Sequence, residues 1–112
     1  MKRLGEFEET ALLLVGILGQ EAYAFNLVKE LKEEMGRSIS VGAMHSTLNR
    51  LEKKGFLNSE VGGATAKRGG RRKRVYTITA LGQEALILSR DFKLSLWKRY
   101  PPLTIDNLQW GN

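Results

Sequence analysis

The stretch SVGAMHSTLNRLEKKGFL, residues 40–57, has the pattern of a helix with two unlike sides. Ser40 is a suitable N-cap, and Gly55 stands where helices commonly end with a positive φ. Between them, apolar residues recur at helical spacing and form an inward stripe, namely Val41, Met44, Leu48 and Leu51. At about 100° per residue the opposite side collects Gly42, Ser46, Asn49, Arg50 and Lys53. That side is polar and basic and contains no acid, whereas an ordinary solvated face mixes both signs of charge.

Two further helices are predicted upstream. The first runs from about Glu6 to Leu18 and is apolar nearly all round after its acidic first turn. Such a helix lies either at a subunit interface as well as in the core, or at the centre of a monomeric core. The second starts near Tyr23 and ends near Gly36, with a buried stripe formed by Ala24, Leu27, Val28, Leu31 and Met35.

Downstream, the segment KRGGRRKR at residues 67–74 places six positive charges and two glycines in eight positions. The chain has 18 Lys and Arg against 12 Asp and Glu, so this segment accounts for the whole formal net charge of +6. Strand-like sequences flank it, at residues 56–61 and 75–79. These patterns predict a β-hairpin with a projecting basic loop.

The last predicted helix follows Thr79, a suitable N-cap, and ends before Pro101. Its apolar stripe is broader than a single small domain easily covers. The stripe consists of Leu81, Ala85, Leu88, Phe92 and Leu96, widened by Ile87, Leu94 and Trp97.

Three helices followed by a hairpin are the order of a winged helix-turn-helix, whose third helix fits the DNA major groove. Glycines at the hairpin tip, Gly69 and Gly70, allow close approach to phosphates, and the basic residues neutralise them. The alternative is that residues 67–74 are a solvent-exposed run of charged residues without a binding partner. Nuclear localisation and membrane-lipid binding also use basic clusters, but neither explains the basic side of residues 40–57.

Composition excludes several other classes of protein. The chain has no Cys and one His, so a disulfide, a thiolate zinc site or another usual metal centre is not expected, and no cofactor is implied. No nucleophile or phosphate-binding motif of an enzyme is present. The apolar run ALLLVGIL follows three glutamates and is too short to span a membrane, so we expect a cytoplasmic protein without a membrane partner.

The sequence resembles the PadR family of bacterial transcriptional regulators. The matching segments are LGEFEETALLLVGIL (4–18), EAYAFNLVKEL (21–31), SVGAMHSTLNRLEKKGFL (40–57) and RGGRRKRVYTITALGQEAL (68–86). The resemblance implies a mainly α fold with a small β-hairpin, that is, a winged helix-turn-helix in residues 1–79 plus a C-terminal dimerisation helix and tail in residues 80–112. It further implies a homodimer that represses transcription from a palindromic operator, and a small molecule that releases some members from DNA. The short C-terminal part is similar to that of members without a separate effector domain.

Individual roles follow from these patterns. The expected contacts to double-stranded DNA are Ser46, Asn49, Arg50, Lys53, Lys67, Arg68, Gly69, Gly70, Arg71, Arg72, Lys73, Arg74 and Tyr76. Arg74 could equally form a surface ion pair. Tyr76 and Tyr23 either reach a phosphate or pack as aromatic rings, with packing favoured. For His45 a half-buried, hydrogen-bonded imidazole is favoured over a pH sensor or a phosphate contact.

Phe92 and Trp97 form a separate hypothesis. In a dimer, two copies of each would come close and could sandwich a small flat aromatic effector, or simply pack against each other. Two rival functions remain: a winged-helix module that binds another protein, and a nucleic-acid-binding protein without sequence preference or regulatory ligand.

Overall fold

The computed structural model describes residues 3–62 and 73–102, and within them the chain forms four α-helices and a two-stranded hairpin. In chain order these are α1 (Glu6–Leu18), a 3-10 turn (Gly19–Glu21), α2 (Ala24–Met35), α3 (Val41–Lys53), β1 (Leu57–Val61), β2 (Arg74–Ile78) and α4 (Ala80–Arg99). The predicted mainly α fold with a small β-hairpin is confirmed.

The helix ends lie where the capping residues predict them. The Ser40 hydroxyl accepts a hydrogen bond from the Ala43 amide at 3.0 Å and begins α3. The Thr79 hydroxyl does the same for α4, with the Gly82 amide as donor at 3.0 Å. Gly36 has φ 64° after α2, a left-handed conformation that favours glycine at a helix end. These local signals therefore fix where α2 ends and where α3 and α4 begin.

The core lies among α1, α2, α3 and the inner side of the hairpin. Its fully buried large side chains are Leu12, Val15, Leu27, Leu31, Met44, Leu48, Leu51, Phe56, Leu57 and Tyr76. Two members of the stripes predicted for α2 and α3 lie outside it, since Met35 is 57% exposed and Val41 is 39% exposed. Both stand at helix ends, where the helix surface leaves the core.

The hairpin is antiparallel, with Leu57 opposite Ile78 and Val61 opposite Arg74. Its second strand is fixed to the helical part by a hydrogen bond from the Tyr76 amide to the Ala22 carbonyl at 2.9 Å. The strands therefore end next to the first turn of α2, and the loop between them begins at that edge of the domain.

Only the first part of α4 packs on the core. Ala85 is 7% exposed and Leu86 is partly buried against the core, but the apolar residues beyond them are exposed, with Phe92 at 64% and Trp97 at 68%. On α1, Leu13 and Ile17 are likewise exposed. This agrees with a stripe on α4 that a single domain does not cover. No single helix in the described residues is long and apolar enough to cross a membrane; the pair Glu6–Glu21 and Ala24–Met35 passes that test jointly but is bent by 119°.

Candidate nucleic-acid interface

The outer face of α3 presents all four side chains predicted to contact DNA. Ser46, Asn49, Arg50 and Lys53 are exposed, whereas Met44, Leu48 and Leu51 are buried on the opposite side. The helix is held by its buried stripe, so the exposed face has a fixed direction. We refer to these four exposed residues as the α3 face.

Arg50 is the member of the α3 face that the structure restrains most. Its Nε lies 3.4 Å from a carboxylate oxygen of Glu8 in α1, and its Nη2 lies 3.4 Å from the Thr47 hydroxyl. Thr47 in turn donates to the Ala43 carbonyl at 3.2 Å. Although 55% of its side chain is exposed, Arg50 therefore has neighbours that favour one orientation.

Glu8 is a buried carboxylate with several donors around it. Lys54 Nζ lies 2.8 and 2.9 Å from its two oxygens, and the Gly5 amide donates to it at 2.8 Å. Burial alone would raise the pKa of Glu8, but the hydrogen bonds from Gly5, Lys54 and Arg50 outweigh burial and hold that pKa below its ordinary value. Glu8 is thus charged at neutral pH and joins α1 to the end of α3.

Two further predicted contacts lie at the end of the hairpin strands that is nearest the connecting loop. Lys73 is exposed; its Nζ lies 3.1 Å from the Tyr23 hydroxyl and 4.3 Å from the centre of the Tyr23 ring. Arg74 is also exposed and donates to the Ser59 hydroxyl at 3.0 Å, while that hydroxyl donates to both oxygens of Glu52. Arg74 therefore reaches an acid through a hydroxyl rather than through a direct ion pair.

Tyr76 does not belong to this surface. Its side chain is 1% exposed, and its hydroxyl has no hydrogen-bond partner among the described residues. Burial raises the pKa of this phenol. The predicted DNA contact of Tyr76 is wrong, and the alternative of aromatic packing beneath the hairpin is what the structure shows.

His45 also differs from the expectation. It is exposed rather than half-buried, and it lines a cleft of 350 Å³ between α3 and the hairpin. Tyr23, Lys73 and Arg74 line the same cleft. The structure thus brings the two described basic residues of the hairpin next to the first turns of α2 and α3.

The remaining predicted contacts in the loop lie outside the described residues: Lys67, Arg68, Gly69, Gly70, Arg71 and Arg72. Within the described residues, no group of three or more His, Cys, Asp or Glu could hold a metal ion.

The two residues proposed to sandwich a ligand line different hollows on α4. Trp97 stacks on Tyr100 with ring centres 5.6 Å apart, beside Lys93 and Leu96. Phe92 lines a larger hollow of 410 Å³ that also includes Leu4 of the N-terminal segment. Within one chain the two aromatic rings are therefore not brought together; Lys93 alone borders both hollows.

The sequence pattern did not predict the part that three side chains of this region play around Arg50, namely Glu8, Thr47 and Lys54. A signal for Glu8 was present, because Glu8, Leu12 and Val15 follow helical spacing and share the buried side of α1. An acid in such a stripe requires a buried partner. Its side-chain partners, Arg50 and Lys54, lie more than 40 residues away in the chain, so local patterns do not identify them.

Comparisons with known proteins give a consistent result. The family model described as the transcriptional regulator PadR-like family matches residues 13–87. A PadR family transcription regulator from Clostridium difficile R20291 is similar in structure, with 27% identity, 79% of this chain and 90% of that chain covered, and a TM-score of 0.61. One from Eggerthella lenta has 27% identity, 80% and 75% coverage, and a TM-score of 0.60. A transcriptional regulator from Clostridium thermocellum, at 22% identity, 86% and 91% coverage and a TM-score of 0.63, shares the fold. No curated protein matches the sequence.

Proposed function

Since the chain belongs to the PadR-like family and is thus a DNA-binding transcriptional regulator and not an enzyme, we propose that it is a repressor that binds a palindromic operator as a homodimer. The observation that carries the proposal is the α3 face: four exposed polar or basic side chains on one rigid helix, with no acid among them. The major groove, about 12 Å wide, admits such a helix. Asn49 and Arg50 are the residue types that read adenine and guanine there.

The hairpin contributes phosphate contacts next to the helix. Lys73 and Arg74, exposed at the loop end of its strands, lie on the same cleft as the start of α3, which supports a continuous basic surface. In this proposal Lys67, Arg68, Arg71 and Arg72 extend the surface along the DNA backbone, and Gly69 and Gly70 allow close approach.

The homodimer is supported by the uncovered apolar residues of α4 and α1. Leu88, Phe92, Leu96 and Trp97 on α4, together with Leu13 and Ile17 on α1, are all exposed in the single chain. An apolar surface of this kind is typical of a subunit interface. In this arrangement residues 1–79 form the DNA-binding part and residues 80–112 the dimerisation part. A two-fold axis would place the two α3 helices about 34–36 Å apart, one turn of DNA.

A small flat aromatic effector is part of the same proposal. Phe92 and Trp97 from two chains would bring four rings to the dimer interface, and planar ligands stack on such rings. Titration of a chemically varied panel of planar aromatic compounds should quench the Trp fluorescence if a ligand enters. A repressor acts on DNA in the cell interior, so we propose a cytoplasmic location.

The decisive experiment is selection of duplexes from a random-sequence pool by the full chain. A palindromic consensus with half-sites one helical turn apart is expected. Recovery of duplexes without a consensus would favour a non-specific nucleic-acid-binding protein, and absence of any binding in dilute buffer would favour a protein-binding module.

The role of the loop is tested by salt dependence. The double variant Arg71→Ala/Arg72→Ala should bind the selected duplex more weakly. The negative slope of log K against log salt should become shallower by about 1.8, since each phosphate contact contributes roughly −0.9. The matched control is Lys29→Ala/Lys32→Ala, which removes two positive charges from exposed positions on α2. Equal slopes for the two variants would contradict the loop assignment.

A further inference from the structure

We propose that Glu8 is a positioning residue for DNA recognition: through its carboxylate it holds the Arg50 guanidinium in the orientation that reads a base. The inference rests on the proposed DNA contact of Arg50 and extends it to a residue that cannot itself touch DNA, since Glu8 is 6% exposed.

The contacts of Arg50 leave it available while limiting its freedom. Glu8 engages Nε, and Thr47 engages Nη2, each at 3.4 Å. A guanidinium has five N–H donors, so these two contacts leave donors for a base edge. A long side chain that is already oriented loses less conformational freedom on binding, and this favours the bound geometry.

The carboxylate of Glu8 is itself fixed in place. Lys54 donates to both of its oxygens, and the Gly5 amide donates to one of them. Lys54 Nζ also donates to the Arg3 carbonyl at 3.1 Å, so the ammonium is held from two sides. Glu8 therefore presents its charge to Arg50 from a rigid position on a different helix.

A purely structural role for Glu8 predicts a different outcome from a positioning role. Glu8 adds negative charge close to a surface that binds a polyanion, so its removal should strengthen non-specific attraction to DNA. A loss of stability would weaken binding to every duplex alike. Only a change in the orientation of Arg50 lowers the preference for one sequence while non-specific binding is kept.

The test uses a charge-matched variant, Glu8→Met/Lys54→Met, which keeps the formal net charge at +6. Unbranched apolar side chains of similar length replace the buried ion pair, an exchange that proteins often tolerate. The control is Lys29→Met/Glu33→Met, which removes one charge of each sign from exposed positions of α2 and leaves the contacts of Glu8 intact. The probes are the duplex that the wild-type chain selects and a shuffled duplex of the same composition.

The quantity measured is the ratio of the affinities for the selected and shuffled duplexes. We expect this ratio to fall about three- to tenfold in Glu8→Met/Lys54→Met and to change less than about twofold in Lys29→Met/Glu33→Met, whereas Arg50→Ala lowers it roughly 5- to 150-fold. In the Arg50→Ala background, the double Met exchange should cause no further fall, because its effect passes through Arg50.

A ratio that stays at the wild-type value in the double Met variant would overturn the inference, and so would a fall of the same size in the Arg50→Ala background. Unfolding of the double variant would be seen by circular dichroism; Glu8→Gln, which keeps the side-chain shape but removes the charge and replaces one accepting oxygen with an NH2 donor, then carries the same comparison. If the wild-type chain selects no sequence, the proposed function fails, and this result is distinct from failure of the Glu8 role.

Discussion

Replacement of Gly82 by Ala tests the junction between the hairpin and α4. A Cβ at this position would overlap the Phe56 carbonyl oxygen and would lie 3.0 Å from Ile78 Cγ2 and 3.1 Å from the Phe56 carbonyl carbon. The nearest obstacle is backbone, which cannot rotate away. Thr79 holds this backbone in place, since its amide donates to the Phe56 carbonyl at 3.1 Å and its hydroxyl donates to the Gly55 carbonyl at 2.6 Å.

The expected free-energy change combines two opposing effects. Ala gains about 1 kcal/mol over Gly in a helix. Overpacking of a filled site costs about 1–3 kcal/mol, and a backbone clash belongs at the upper end of that range. We therefore expect Gly82→Ala to lower the free energy of unfolding by about 2 kcal/mol, which for a chain of this length corresponds to a Tm roughly 6–12 °C lower.

The control is Gly42→Ala in α3, where an added Cβ would meet nothing closer than Ser40 Oγ at 3.9 Å. This exchange should stabilise the protein by about 0.5–1 kcal/mol. Both variants should be measured by thermal and urea unfolding at one fixed protein concentration, because dimerisation would make Tm depend on concentration. Equal stability of Gly82→Ala and the wild type would refute the packing of α4 on the hairpin described above.

Two further predictions concern buried polar groups. Tyr76→Phe removes a buried hydroxyl that has no partner in the described residues. It should leave DNA affinity unchanged and raise the free energy of unfolding, measured in urea, by about 0.5–1 kcal/mol. Weaker DNA binding by a folded Tyr76→Phe variant would show that Tyr76 contacts DNA after all. Because the pKa of Glu8 is lower in the folded chain, its charge stabilises the fold above the unfolded-state pKa of about 4.3, and this stabilisation is lost as the pH falls through the folded-state value. The Tm difference between the wild type and Glu8→Gln should therefore narrow as the pH falls below the unfolded-state pKa, and a difference that stays constant through acidification would argue against the ionised Glu8 as its source.

The helices were predictable because each combines a long apolar period with a capping residue. Ser40 and Thr79 mark two helix starts that the structure confirms, and Gly36 marks an end. The inward direction of Tyr76 was less accessible. In the sequence VYTIT, alternation places Tyr76 and Ile78 on one side and Val75 with Thr77 on the other, so it favours an inward Tyr76 only weakly, because each side has a strongly apolar residue. Only packing of the strand against the helices decides it, and that packing buries Tyr76.

The nearly uniform apolar character of α1 also has a structural explanation. Consecutive helix positions differ by about 100°, so Glu8 and Glu9 point to different neighbours. Glu8 binds Arg50 and Lys54 at the end of α3, whereas Glu9 pairs with Lys93 on α4, and the pKa of Glu9 is lowered by Lys93 and Ser89 against the opposing effect of burial.

One turn of α1 thus contacts both the helix proposed to read DNA and the helix proposed to form the dimer. Further along, Leu12 and Val15 fill the core while Leu13 and Ile17 stay exposed beside α4. A helix with neighbours on so many sides cannot keep a polar face for solvent, because each side must match the core, another helix or, in the proposed dimer, a second subunit. The sequence pattern of α1 therefore follows from its position between the two functional parts of the chain.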